Sequence, residues 1–340
     1  MNVKVLVVDD SPFMRKIITE TIASIEGLEV IGTARNGRDA LKAIPQLQPD
    51  VITLDIEMPG LNGLETLGII KKEHSTPVIM MSSFSGEDNT IAALDLGAMD
   101  FIEKPHDIRN QSDAFKNEVA DKIKPLFEQM KTELPIEKSV VQKSELENRL
   151  PKKIKAIVIG ASTGGPKALF SIIRSLPENL TFPIFIVQHM PKGFTTSFSK
   201  RLDKESTATV VEAEDGMAIK GGTVYVAPGG YHMVIENNRI KLNEADKIHG
   251  VRPAVDYLFE TAAEAYGNEL VSFILTGMGQ DGARGLDKIK KAGGFTVAQN
   301  RETSIVYGMP GNAVQKGVID EIASLKDISE LINWMIRMRS

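Results

Sequence analysis

Short apolar runs alternate with amphipathic stretches along most of the chain. Between residues 1 and 131, apolar runs at 4–8, 29–34, 51–54, 78–81 and 100–102 predict five strands, and the intervals carry helical patterning with Pro12, Pro77 and Pro105 at element edges. Five strands alternating with five helices predict a flavodoxin-like (βα)5 domain. Residues 132–153 lose apolar periodicity and mix charges, which reads as a linker. From 154 to 340 the alternation resumes in a larger doubly wound α/β domain with a mostly parallel sheet. Runs at 154–159, 182–188 and 270–275 have the length and β-branched content of buried parallel strands. Close-spaced β runs at 207–213, 223–227, 231–236 and 239–242, separated by Gly, Pro and Asn, predict an appended β-hairpin region. The tail, 328–338, is an amphipathic helix whose Trp334 is expected to pack in the core.

Composition narrows the class without naming it. The 340 residues are 42% hydrophobic and 25% charged, enough for two domains with proper cores. A net charge of −5 leaves no basic footprint for nucleic acid, which disfavours a DNA-binding output domain. The chain has no cysteine, so thiol nucleophiles, thiolate metal sites and disulfides are excluded, in keeping with a reducing cytoplasm. The opening run ends at Asp9-Asp10 and is neither a signal peptide nor a membrane span; no membrane insertion is expected.

The second domain carries a candidate hydrolytic site. Gly160-Ala161-Ser162-Thr163-Gly164-Gly165 places a hydroxyl on a glycine-lined turn between a strand and a helix, a way to hold a nucleophile clear of a sheet. A serine alcohol is a poor nucleophile at neutral pH and needs a base with an orienting acid. Of the five histidines, His74 and His106 fall in the first domain, His249 in a polar segment, and His232 at the start of a strand. His189 closes the run 182–188 and emerges at the same carboxyl edge as Ser162. Asp281, in the loop Thr276-Gly277-Met278-Gly279-Gln280-Asp281-Gly282, is the candidate acid. The order Ser, His, Asp differs from the Ser, Asp, His of ordinary α/β-hydrolases, so the Gly-x-Ser-x-Gly match does not assign that fold.

Each residue has another use. Such a serine can cap a helix or cradle a phosphate, a strand-end histidine can be a packing residue, and an Asp in a Gly-rich loop is common turn chemistry. Their joint placement after three buried strands favours catalysis. Dinucleotide binding fails twice: Ser162 stands where the fingerprint needs its middle glycine, and the next strand ends in Gln188-His189-Met190, without an acid.

In the first domain Asp9, Asp10, Asp55, Ser82 and Lys104 all fall at the carboxyl ends of predicted strands. Crowded carboxylates repel unless a cation sits among them, and oxygen-only ligands with room for water suit Mg²⁺. A carboxylate beside that ion can attack a phosphoryl donor, with Lys104 and Ser82 holding the new phosphoryl oxygens.

Residues 1–125 resemble the receiver domain of bacterial two-component response regulators, through Val7-Val8-Asp9-Asp10-Ser11, Asp55-Ile56-Glu57-Met58-Pro59-Gly60, Met81-Ser82-Ser83 and Glu103-Lys104-Pro105. The resemblance implies that Asp55 accepts phosphate, that Asp10, Asp55 and the Glu57 carbonyl bind Mg²⁺, and that Ser82 and Phe101 form a switch pair. Residues 154–338 resemble the catalytic domain of the chemotaxis protein-glutamate methylesterases, which are also protein-glutamine glutaminases. The matching words are Gly160-Ala161-Ser162-Thr163-Gly164-Gly165, Gln188-His189-Met190-Pro191 and Thr276-Gly277-Met278-Gly279-Gln280-Asp281-Gly282. This resemblance implies oxyanion support from Thr163 and the amides near Met278. It implies methyl-accepting chemotaxis receptors as substrate, a chemotaxis histidine kinase as phosphodonor, and no cofactor at the hydrolase site. The expectation is a cytoplasmic monomer whose hydrolase is activated in a graded way by phosphorylation. A non-catalytic scaffold docking on receptors is the other reading, and Ser162→Ala separates the two.

Overall fold

The computed structural model describes residues 2–83, 86–105, 108–131 and 149–339. The chain divides into two compact units, Met1–Glu133 and Leu134–Ser340. Most of the linker expected at 132–153 lies outside the described residues, as does His106.

The first unit runs β1 Val3–Val8, α1 Pro12–Ala23, β2 Leu28–Ala34, α2 Gly37–Leu47, β3 Val51–Asp55, α3 Gly63–Glu73, β4 Val78–Ser82, α4 Glu87–Asp95, β5 Asp100–Glu103 and α5 Ile108–Lys131. Its strands form one sheet in the order β2-β1-β3-β4-β5, and every pairing is parallel. β3 and β4 are buried at every position, because a parallel sheet with helices on both faces leaves neither face in water. Local chemistry sets the helix starts. Ser11 caps α1 by accepting from the Met14 amide, with Pro12 in the first turn, and Asn62 and Glu65 form a reciprocal capping box on α3.

The second unit contains β6 Ala156–Ala161, α6 Gly165–Arg174, β7 Ile184–Gln188, α7 Phe194–Glu205, β8 Thr209–Glu212, β9 Thr223–Val226, β10 His232–Glu236, β11 Arg239–Asn243, α8 Val255–Tyr266, β12 Leu270–Ile274, α9 Ala283–Lys291, β13 Phe295–Gln299, α10 Gly308–Gln315, β14 Glu321–Ala323 and α11 Leu325–Arg339. Seven strands make a parallel sheet in the order β14-β13-β12-β6-β7-β9-β8.

The middle of this unit corrects one reading. The runs at 207–213 and 223–227 do not form hairpins: β8 and β9 pair parallel and extend the sheet beyond β7. Of the four runs, β10 and β11 make the antiparallel hairpin, with Asn237 and Asn238 both at positive φ in the turn. The hairpin is not a peripheral flap, since Met233, Ile235 and Ile240 join the core formed by Phe185, Tyr225 and Phe259. In α11 the buried stripe is Ile328, Ile332, Met335 and Ile336, while Trp334 is half-buried.

Candidate functional site

Each sheet has a place where neighbouring strands lead off in opposite directions, and the central candidate residues lie beside it. In the first sheet the switch lies between β1 and β3; in the second it lies between β6 and β12. Loops leaving the carboxyl ends of such strands diverge to opposite faces and open a crevice.

In the second unit, the register of β6 against β7 pairs Ala161 with Gln188, so Ser162 and His189 are the next residues out on adjacent strands. The Ser162 amide donates to the Thr276 carbonyl at 3.0 Å, which ties the serine turn to the loop after β12. Gly277 must be glycine for this approach, because a Cβ there would lie 2.7 Å from the Ser162 Cβ. Gly164, at φ 76°, supplies the left-handed turn into α6. The Ser162 side chain is half-buried, and its hydroxyl has no hydrogen-bond partner among the described residues.

Asp281 sits 2% exposed at the end of that loop, and its Oδ2 lies 2.8 Å from His189 Nε2. The same carboxylate accepts from the amides of Val255 (2.6 Å), Asp256 (3.0 Å) and Gly282 (2.9 Å). Burial works to raise its pKa, but the His189 contact and the Val255 and Asp256 amides outweigh burial and hold the carboxyl below its ordinary value of 3.8. Asp281 is therefore ionised at neutral pH. An ionised carboxylate can only accept, so Nε2 of His189 carries a hydrogen and Nδ1 is left as the basic nitrogen.

Thr163 and Met278, expected to support an oxyanion, lie next in sequence to Ser162 and Gly277. Thr163 is buried, and its carbonyl accepts from the Thr276 hydroxyl at 2.9 Å. Met278 is 40% exposed, and its amide has no acceptor among the described residues. Side-chain reasoning passed over Gln188. Its amide nitrogen donates to the carbonyls of both Ser162 (3.0 Å) and His189 (3.1 Å), tying the backbones of the two residues together. The Val255 and Asp256 amides were equally invisible, because backbone donors leave no trace in residue type.

In the first unit, carboxylate oxygens of Asp9, Asp10 and Asp55 lie within 4.8 Å of one another. Asp9 and Asp55 are buried and Asp10 is exposed, which gives an oxygen-only donor set with one side open to water. Such a set fits Mg²⁺. Lys104 bridges the two buried acids, 2.8 Å from Asp9 and 2.7 Å from Asp55. One ammonium cannot neutralise both. Burial raises the Asp55 pKa to about 6, with the Asp9 charge adding to that rise, despite the opposing pull of Lys104 and the Glu57 amide. The Glu57 amide lies 3.3 Å from Asp55 Oδ1, while its side chain is exposed.

Ser82 is fully buried, and its hydroxyl pairs with the Thr90 hydroxyl at 2.6 Å on α4. Phe101 is 3% exposed, with the Lys122 ammonium 4.8 Å from its ring centroid. Lys122 also approaches Asp100 and Glu118, and these two charges, against burial, push its pKa up to about 12.

Comparison with known proteins follows the same division. Residues 157–332 match the model of the CheB methylesterase family, and residues 5–116 match that of the response regulator receiver domain. A protein-glutamate methylesterase/protein-glutamine glutaminase of Pyrococcus horikoshii is 45% identical, over 97% of this chain and 93% of its own length. One of the same description from Clostridium acetobutylicum is 44% identical over 99% and 98%. The crystal structure of the Thermotoga maritima CheB methylesterase catalytic domain superposes with a TM-score of 0.52 at 45% identity, covering 54% of this chain and 99% of that one. Among the described residues no helix is long and apolar enough to cross a membrane.

Proposed function

The chain belongs to the CheB methylesterase family, with a response regulator receiver domain ahead of the hydrolase, and from that premise we propose a phosphorylation-activated serine hydrolase of receptor proteins. Its substrates are glutamate methyl esters and glutamine side-chain amides on methyl-accepting chemotaxis receptors, the two activities named in its relatives. The observation that carries the reading is His189 hydrogen bonded at 2.8 Å to the buried Asp281 carboxylate, one strand away from a half-buried serine whose hydroxyl has no partner among the described residues.

In the proposed reaction, Ser162 Oγ attacks the side-chain carbonyl carbon while Nδ1 of His189 takes the hydroxyl proton. Asp281 keeps the other nitrogen protonated and stabilises the imidazolium that forms. The oxyanion is received by the Met278 amide and Thr163, each such donor typically contributing about 3 to 4 kcal/mol. Collapse expels methanol or ammonia with the proton from His189, leaving an acyl-serine. Water, deprotonated by His189, then releases glutamate and restores the hydroxyl. Ester and amide pass through the same tetrahedral geometry, so one site serves both.

Control belongs to the receiver. Asp55 is proposed as the phosphoacceptor, with a histidine kinase as donor. Asp9, Asp10, Asp55 and the Glu57 carbonyl would hold Mg²⁺, which when bound neutralises charge around the phosphoryl group. Lys104 and the Ser82 hydroxyl, freed from Thr90, then bind phosphoryl oxygens, and Phe101 reports the change. The deciding experiment is methanol release from methylated receptor membranes by wild type and Ser162→Ala, with and without a small phosphodonor. Release that survives Ser162→Ala unchanged would overturn the reading.

A further inference from the structure

The seat of Asp281 has a second layer, and it centres on a histidine outside the candidate triad. The Val255 and Asp256 amides that bind Asp281 belong to the first two residues of α8. The residue before them, Ala254, donates its amide to His232 Nδ1 at 3.1 Å. His232 is fully buried at the start of β10, its Nε2 lies 3.1 Å from the Asp246 carbonyl, and its ring rests on Tyr257 with centroids 4.1 Å apart. A backbone amide can only donate and a carbonyl can only accept. One form satisfies both contacts, the neutral ring with its hydrogen on Nε2.

The first amides of a helix have no partner within the helix, and the Ala254 side chain cannot cap them. Here three consecutive amides, 254 to 256, are satisfied from outside, one by the imidazole and two by the Asp281 carboxylate. The imidazole fixes where the helix starts, and the helix start fixes where the carboxylate sits. We propose that His232, acting through the Ala254 amide, is a positioning residue of the hydrolase site that holds the seat of Asp281.

This inference rests on the reading of Ser162, His189 and Asp281 as the hydrolytic triad. Protonation of His232 at Nδ1 would set a donor against a donor and undo the seat. Burial keeps its pKa below the ordinary value of 6.5, helped by the Arg252 charge; the Asp246 and Ala245 carbonyls and the Asp281 carboxylate oppose that shift without reversing it. The neutral form is therefore in place at pH 7 and is lost only on acidification.

The test compares two replacements in the full chain, assayed by methanol release from methylated receptor membranes. In His232→Asn an amide oxygen can stand where Nδ1 stood, while His232→Leu offers no acceptor. The expectation is that His232→Leu lowers kcat on the order of 10- to 100-fold with KM nearly unchanged, and that His232→Asn recovers most of the loss. Equal losses in the two variants would show that only ring packing matters and would overturn the proposal, as would wild-type kcat in His232→Leu. Nitrogen NMR of the wild-type histidines gives a readout independent of any variant's folding. A bare Nδ1 and protonated Nε2 on His232 at neutral pH support the assignment; the reverse tautomer ends it. Failure of the underlying reading has its own signature, namely Ser162→Ala releasing methanol as fast as wild type, and that result takes this inference with it.

Discussion

Asp281 and Asp55 are both buried carboxylates at the switch point of a parallel sheet, yet their surroundings push them in opposite directions. Asp281 accepts from three backbone amides and an imidazole, and its pKa is held below 3.8. Asp55 shares a single ammonium with Asp9, and burial raises its pKa to about 6. His189 and fixed backbone dipoles together outweigh burial at the first. The second is left under-compensated, a state that favours a bound cation and a reactive oxygen. Burial alone therefore does not say what an acid is for; the count of donors around it does.

The largest effect that separates the two sites comes from Ser162→Ala. Methanol release should fall by about 10⁴-fold or more, while phosphate incorporation at Asp55 from a small phosphodonor stays at the wild-type level. Loss of both would mean that the sites are not chemically separate.

Asp281→Asn follows. It leaves the shape unchanged, but its amide group turns donors toward Val255, Asp256 or His189, and kcat should fall about 10³- to 10⁴-fold with little change in KM. A reduction below tenfold would show that the carboxylate is not what orients His189. Asp55→Asn should behave differently, abolishing phosphate incorporation and stimulation by phosphodonor while basal methanol release persists. Activity at the phosphorylated wild-type level in that variant would contradict the proposed control.

The smallest effect is on stability, and there the two acids should give opposite slopes with pH. Asp55 has a folded pKa above its unfolded value, so its contribution is complete below 3.8 and is lost as pH rises through about 6. The loss should be about 1 to 3 kcal/mol without divalent cation and should shrink on adding Mg²⁺. Asp281 has a folded pKa below 3.8, so its contribution is present above that value and lost as pH falls further. Urea unfolding across this interval, for wild type and each Asn variant, measures both slopes. A Mg²⁺-insensitive profile above pH 6 would remove the cation from the account of Asp55.

The sequence made the strands easy to read because parallel strands buried on both faces have no polar alternation to confuse them. β3, β4, β6, β7 and β12 all lie within one or two residues of their apolar runs. The chain between 207 and 227 misled because two short β runs joined by a glycine-bearing loop look alike whether they pair antiparallel or parallel. What settles it is the space beside β7, which β9 fills with Tyr225 stacked on Phe185 at 5.4 Å. Ser162 and Asp281 could be picked out because glycine-rich words follow buried strands, and His189 because it closes one. Gln188 and His232 could not, since their partners are main-chain atoms brought near by a register and by a helix start.

Because the acid proposed to orient His189 also accepts from the first two amides of α8, catalytic competence and local order would be coupled at this position. A chain that loses the Asp281 charge would lose the acceptor of two α8 amides as well as the partner that holds His189. On the proposed reading, an inactive but durable form of this hydrolase is reached more readily by changing Ser162, whose hydroxyl has no hydrogen-bond partner among the described residues.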